Sequence, residues 1–174
     1  NHIECMEDRL GNYMYVDVGG GSTEVNLLVK GELVCSKSYN IGTVRMLNDA
    51  VDFGEWKRLE ADMKTLSENY LGTNIIGSGG NINKLYRLAE KTDKKRQRIS
   101  VTVLKSLYEK LKLLSFEERM QVFNLKPDRA DVIVPASEIF LTIAEIFHSE
   151  YIYVPVIGLA DGIIDGLYAA NCNK

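Results

Sequence analysis

The order of hydrophobic periodicities along this chain predicts an α/β fold: one mixed five-stranded sheet with helices packed on both faces. Three observations carry the prediction. Short β-branched and aromatic runs with tight connections open the chain. Apolar residues at three- and four-residue spacing fill its middle. Brief strand-like runs then recur between helical stretches, the alternation expected of a sheet covered by helices.

The elements follow in order. Residues 13–18 (YMYVDV) are rich in β-branched and aromatic residues and stop at three glycines, which reads as a strand. Residues 23–29 (TEVNLLV) and 32–39 (ELVCSKSY) are two more, joined through Lys30-Gly31. Connections this short make an antiparallel meander. A short helix is expected around 43–51. Trp56, Leu59, Met63, Leu66 and Tyr70 then recur at helical spacing and place an amphipathic helix over 55–70. A strand over 73–76 runs into Gly77-Ser78-Gly79-Gly80, and Ile82, Leu85 and Leu88 share one face of the next helix. Residues 91–98 (KTDKKRQR) read as a charged connection. Leu104, Leu107, Leu111 and Leu114 form a further helical stripe, and Ser115 with Glu118 matches a capping box. Pro127 ends that helix, and residues 129–148 read as one long helix with Pro135 tolerated near its start. A strand over 151–154, a break at Gly158 and a closing helix over 163–168 complete the series.

A chain of 174 residues is long enough for one domain with its own core. The formal net charge of −3 argues against non-specific nucleic-acid binding, which needs a broad basic surface. Three cysteines, Cys5, Cys35 and Cys172, without a CxxC spacing argue against a disulfide framework or zinc site and make the cytoplasm the expected compartment. The longest apolar stretch, Val132 to Phe147, is interrupted by Pro135, Glu138 and Glu145, so it reads as a buried helix rather than a membrane span.

The sharpest feature is Asp17-Val18-Gly19-Gly20-Gly21-Ser22-Thr23-Glu24. Three glycines between two strands let a ligand approach the backbone, and glycine also permits positive φ. Successive N–H groups in such a turn can converge on an anion, and Ser22 and Thr23 add hydroxyls. Asp17 can hold Mg²⁺ directly or through water. Glu24, a second carboxylate across the turn, can hold water or the metal. The loop is neither a Walker A nor a dinucleotide fingerprint, since its glycines join strand to strand. A solvated glycine-rich hairpin is the plain alternative. Arg45 reads either as a phosphate ligand or as an exposed helix arginine. Gly79 and Gly80 lie where a helix N-terminus would attract an anion, or simply form a tight turn. Lys91, Lys94, Lys95, Arg96 and Arg98 read as a solvated loop, with steering of a polyanion as the alternative. Asp161 and Asp165 read as surface acids. No histidine is placed to activate a serine or cysteine.

DVGGGSTE resembles the second phosphate motif of the exopolyphosphatase and guanosine pentaphosphate phosphohydrolase family, which shares the actin, Hsp70 and sugar-kinase superfold. Further segments resemble that family in the same order: Gly42-Thr43-Val44-Arg45, Gly77-Ser78-Gly79-Gly80-Asn81-Ile82, Arg129-Ala130-Asp131 with Pro135, and Gly158-Leu159 with Asp161-Gly162. The resemblance runs over about residues 13–168. It implies a ribonuclease-H-like half, the second of two domains that clamp a phosphate chain between them, with the N-terminal half and its glutamate base absent from residues 1–174. It also implies Mg²⁺-assisted release of orthophosphate from the end of inorganic polyphosphate or guanosine pentaphosphate. Asp17 and Glu24 would then be the catalytic and metal carboxylates, and Gly19, Gly20, Gly21, Ser22 and Thr23 the phosphate cradle, joined by Arg45, Gly79 and Gly80. Three positions depart from the pattern: Ala160 stands in place of Arg, Asn81 in place of Thr and Ala136 in place of Gly.

The expected partners are the phosphate substrate and the chain's own N-terminal domain. Without that domain the fragment should be inactive and should self-associate through the apolar face left bare, as a homodimer. Two other functions remain open: a polyphosphate- or nucleotide-binding sensor without turnover, and a sugar-kinase-type ATPase half.

Overall fold

The computed structural model describes residues 10–155. The expected break at Gly158, the helix over 163–168 and the positions His2, Cys5, Ala160, Asp161, Asp165 and Cys172 lie outside the described residues. Strands β1 (Asn12–Val18), β2 (Thr23–Val29) and β3 (Glu32–Tyr39) form the meander. Helices α1 (Thr43–Leu47) and α2 (Phe53–Asn69) follow, then β4 (Asn74–Ser78) and α3 (Gly79–Leu88). The chain continues through β5 (Arg98–Ser100), α4 (Val101–Leu113), α5 (Phe116–Phe123), α6 (Pro127–Ala130), α7 (Ile133–Ile146) and β6 (Tyr151–Tyr153).

The sheet has six strands in the order β3-β2-β1-β4-β6-β5, not the five expected. The extra strand is β5, which was expected to be the tail of a charged connection. Its three residues are too few to display an alternation, yet they pair antiparallel with β6 and bury Ile99 between Arg98 and Ser100. The Arg98 guanidinium lies 3.8 Å from the Tyr151 ring centroid, which explains a basic residue at this edge. β1 pairs antiparallel with β2 and parallel with β4, and β4 pairs parallel with β6, so the sheet is mixed as expected.

Local chemistry explains the helix boundaries. Asp52 caps α2 by accepting from Gly54 N at 2.6 Å. Ser115 and Glu118 form the expected capping box of α5. The single helix expected over 129–148 is instead α6 followed by α7. Pro135 thereby falls in the first turn of α7, where its missing N–H leaves no helical bond unmade.

Met14, Val16, Val18, Val25, Leu27 and Ile75 cover one sheet face and join the buried residues of α2, α3, α4 and α7 in one core. Phe140 and Ile143 of α7 sit at its centre, because this helix packs against α1, α2, α3, α4 and β1. The alternate residues Tyr13, Tyr15, Leu28 and Ile76 form a smaller buried cluster on the other face. Among the described residues no helix is long and apolar enough to cross a membrane.

Candidate functional site

The glycine loop closes the β1–β2 hairpin, with Gly19 N donating to Ser22 O at 2.9 Å. Its carbonyls are committed in one direction. Gly19 O accepts from Thr43 N (3.0 Å), Gly20 O from Val44 N (2.9 Å) and Arg45 N (3.2 Å), and Gly21 O from Arg45 Nε (2.7 Å). The peptide bonds are all trans among the described residues, so each following N–H points opposite its carbonyl. The N–H groups of Gly20, Gly21 and Ser22 therefore point away from α1, on a loop whose Gly20 and Gly21 are exposed. N–H groups turned outward on an exposed loop are free to face an anion.

None of Gly19, Gly20 and Gly21 adopts the left-handed backbone expected of a tight glycine turn. Space constrains two of them instead: a Cβ on Gly20 would lie 3.1 Å from Val44 Cγ2 and one on Gly19 3.3 Å from Ser22 O, whereas one on Gly21 would meet nothing within 4 Å. The tightest approach involves Gly42, where a Cβ would strike Gly20 O, Gly21 C and Ser22 N. The loop and the start of α1 are one packed unit.

Strand register builds a polar row along the same edge. Asp17 pairs with Glu24 across the hairpin, Glu24 with Ser38 on β3, and Asp17 with Ser78 on β4. Residues paired in this way share a face, so Ser38, Glu24, Asp17 and Ser78 form one line across four strands. Glu24 Oε1 accepts from Ser22 Oγ at 2.6 Å and from Ser38 Oγ at 3.4 Å. Asp17 abuts the start of α3. Gly79 takes φ +90°, and a Cβ there would lie 2.6 Å from Asp17 Oδ1. Here glycine is required both by backbone and by space.

The N-terminus of α3 completes the edge. Asn81 donates from Nδ2 to Val18 O at 2.8 Å and accepts at Oδ1 from Arg129 at 3.2 Å. The Arg129 guanidinium lies over the bare Cα of Gly80, 3.2 Å from where a Cβ would be. A helix N-terminus beneath a guanidinium favours an anion. The whole arrangement lies at the C-terminal ends of the parallel strands β1 and β4, the usual position of a ligand site in open α/β sheets.

Asp17, Glu24, Gly19, Gly20, Gly21, Ser22, Arg45, Gly79 and Gly80 thus gather at one edge. Thr23 is the exception and corrects the expectation. It is fully buried, and its hydroxyl donates to Ile41 O at 2.7 Å, because strand alternation turns it toward the core with Val25 and Leu27. Lys94 and Lys95 are exposed in the connection before β5. Sequence reasoning assigned no role here to Ser38, Ser78 or Arg129. Ser38 could have been found by counting hairpin register, had the irregularity at Leu27/Leu28 not shifted the count. Arg129 meets Asn81 across 48 residues, which no local pattern reveals. Among the described residues no group of three or more His, Cys, Asp or Glu forms a metal cluster.

A family model described as the Ppx/GppA phosphatase family matches residues 3–170. The chain is 25% identical over 173 residues to the guanosine-5'-triphosphate,3'-diphosphate pyrophosphatase of Aeromonas salmonicida, covering 92% of this chain and 35% of that protein. Among solved structures, the Ppx/GppA phosphatase of Aquifex aeolicus matches with a TM-score of 0.69 at 27% identity, covering 94% of this chain and 59% of that one. An exopolyphosphatase from Cytophaga hutchinsonii matches in fold with a TM-score of 0.70 at 19% identity, covering 92% of this chain and 58% of that one. The chain thus spans about a third of that curated relative and under two thirds of these solved ones. The sheet and its helices are an actin-like ATPase fold, and the chain belongs to the Ppx/GppA phosphatase family.

Proposed function

We propose that this chain is the phosphate-cradling second half of a two-domain phosphoanhydride hydrolase that releases orthophosphate from the end of polyphosphate or guanosine pentaphosphate. The observation that carries this is the Asp17–Glu24 pair beside three outward N–H groups. The N–H groups of Gly20, Gly21 and Ser22 hold the oxygens of the terminal phosphoryl group, where charge builds as it transfers. Ser22 and Ser38 fix the Glu24 carboxylate, and Asp17 is fixed against Gly79. Arg45 and Arg129 offset the phosphate charge on either side.

Two carboxylates set opposite each other fit Mg²⁺, which takes one or two such ligands and completes its shell with water and phosphate oxygens. Bound there, the ion would neutralise phosphate charge. Water attacks the terminal phosphorus, the bond to the bridging oxygen breaks, and that oxygen leaves with the electron pair. The proton of the attacking water goes to a carboxylate that this proposal places on the preceding domain, so residues 1–174 alone are inactive. Val44 beside the loop, with Leu47 and Phe53 also exposed on α1 and α2, belongs to the surface that domain covers. Deprived of it, the isolated chain self-associates there; a monomer by light scattering at high concentration would remove that part of the proposal.

Orthophosphate release with Mg²⁺ tests the function, comparing residues 1–174, the complete two-domain protein and its Asp17→Asn variant. Release by the complete protein alone, lost in Asp17→Asn, is expected. Release by residues 1–174 would refute the split site. Tight binding without release by the complete protein would make it a sensor.

A further inference from the structure

Asn81, in the first turn of α3, is a buried polar side chain, only 7% exposed. Burying an amide is costly unless its hydrogen bonds are made. Here both ends are used, and in different elements. Nδ2 donates to Val18 O at 2.8 Å, where β1 enters the glycine loop, and Oδ1 accepts from Arg129 Nη1 at 3.2 Å. Turning the amide over would set oxygen against oxygen and N–H against N–H, so its two partners fix its orientation.

Arg129 needs such a holder. It rides on α6, a single turn whose Ala130 is buried and whose Ala130 O accepts from Arg119 Nη1 at 3.2 Å. The backbone is thereby anchored, but the Arg129 side chain is 40% exposed, with Asp128 Oδ2 3.7 Å from its Nε. Left to itself, this guanidinium would turn toward water or toward the Asp128 carboxylate, which would offset its charge. Asn81 draws it the other way, to within 3.2 Å of the Cβ position of Gly80. The amide is neutral, so it orders the guanidinium without cancelling its charge. Nη2 makes no hydrogen bond among the described residues and keeps its donors for a ligand.

We propose that Asn81 is the positioning residue that holds Arg129 over Gly80 and ties it, through Val18, to the glycine loop. The proposal rests on the phosphohydrolase function argued above and names a further residue of that site. Asn81 itself touches no substrate. It sets the Nη2 edge of Arg129 at the start of α3, where the backbone N–H groups have no helical acceptor, so a bound anion meets an arginine already ordered.

The test is a double-mutant cycle in the complete two-domain protein: unmodified, Asn81→Ala, Arg129→Gln and the two together. Titration calorimetry gives the Kd for orthophosphate with Mg²⁺, and orthophosphate release from tripolyphosphate gives KM and kcat. Asn81→Ala should weaken orthophosphate binding about two- to tenfold, the range for ordering one long side chain, and raise KM alike with kcat within about twofold. In the Arg129→Gln background the same change should move Kd by less than about twofold. Both Asn81→Ala proteins should lose stability through the unpaired Val18 carbonyl, so the melting temperature does not carry the test and the coupling in Kd does. Equal losses of affinity in both backgrounds, or no loss in either, would overturn the positioning, with the hydrolase function left standing if release continues. Coupled losses in Kd without release by the unmodified protein would remove the hydrolase function and leave the positioning. If Asn81→Ala does not fold, Arg129→Lys decides. Its ammonium keeps the charge but lacks the fork that serves an amide and an anion together, so orthophosphate should bind about two- to tenfold more weakly. Unchanged affinity in Arg129→Lys would overturn the proposal.

Discussion

Gly42→Ala tests whether the glycine loop and the start of α1 are one packed unit. Gly42 has φ −144° and ψ 162°, an extended conformation any residue adopts, so the substitution brings no backbone strain of its own. The added methyl is the entire perturbation. It would lie 2.5 Å from Gly21 C and Ser22 N and against Gly20 O, all backbone atoms that cannot rotate aside. The loop must retreat by about 1 Å to reach van der Waals distance. That retreat stretches the 3.0, 2.9 and 3.2 Å bonds from Thr43, Val44 and Arg45. Overpacking of this kind costs about 1–3 kcal/mol, and 1.4 kcal/mol is tenfold in the folding equilibrium. Gly21→Ala is the contrasting change. Nothing lies within 4 Å of its methyl, so stability should hold within about 0.5 kcal/mol. The methyl would nonetheless stand among the proposed N–H donors. Urea unfolding of both variants, with orthophosphate release by the complete protein, separates the two effects. Gly42→Ala should lose stability and activity together, and Gly21→Ala activity alone. An unchanged unfolding midpoint in Gly42→Ala would refute the packing, and full activity in Gly21→Ala would refute the N–H cradle.

Thr23→Val keeps the side-chain shape but leaves the buried Ile41 carbonyl unpaired, so stability should fall by about 1–3 kcal/mol with KM unchanged; a raised KM at constant stability would return Thr23 to the phosphate. Among the described residues Tyr15 Oη is buried with no hydrogen-bond partner, so Tyr15→Phe should raise stability by about 1 kcal/mol in thermal melts, and a lowered melting temperature would reveal a partner. Burial first, then Tyr13, pushes the Tyr15 hydroxyl up to about 12, so its ionisation leaves stability unchanged below pH 10 and lowers it as pH rises toward 12; the alkaline loss should shrink in Tyr15→Phe. Burial pushes the Asp62 carboxyl up, but hydrogen bonds from Lys37 and Tyr39 outweigh it and hold the group below its ordinary 3.8. Its contribution is therefore present above that value and lost as pH falls through the lower folded value, so melts of the protein and Asp62→Asn should converge below pH 4. Parallel curves through that range would show that Asp62 is not the titrating group.

Most of the fold was legible because its elements are long enough to repeat their own period. Leu59 and Met63, or Leu104, Leu107 and Leu111, mark a buried helical stripe that tertiary packing then uses without change. The three-residue strand β5 escaped because its pairing with β6 is a long-range fact and its outer residues are Arg98 and Ser100. The break between α6 and α7 escaped because Pro135 tolerates a helix start as well as a kink, and only packing chooses. The site was legible where one hairpin builds it, from Asp17 to Glu24. Thr23 was misjudged because residue type suggested a hydroxyl donor, whereas strand alternation decides which way the hydroxyl faces. Arg129 and Ser38 lie beyond the reach of local pattern, since each arrives from a different element.

The polar row also runs against what stability alone would select. Like charges directly opposite on an antiparallel pair are destabilising, yet Asp17 and Glu24 occupy one such position. The surroundings are built to hold the pair rather than to remove it. Ser22 and Ser38 donate to Glu24, Gly79 leaves room for Asp17 at the start of α3, and Arg129 stands over Gly80 nearby. A hairpin selected only for its own pairing would place a hydroxyl or an opposite charge at position 17 or 24. Local rules are broken in this way where a site needs the offending groups. Two carboxylates held side by side, next to N–H donors and two arginines, have a use when a cation and an oxyanion arrive together, each offsetting the charge that the other leaves exposed.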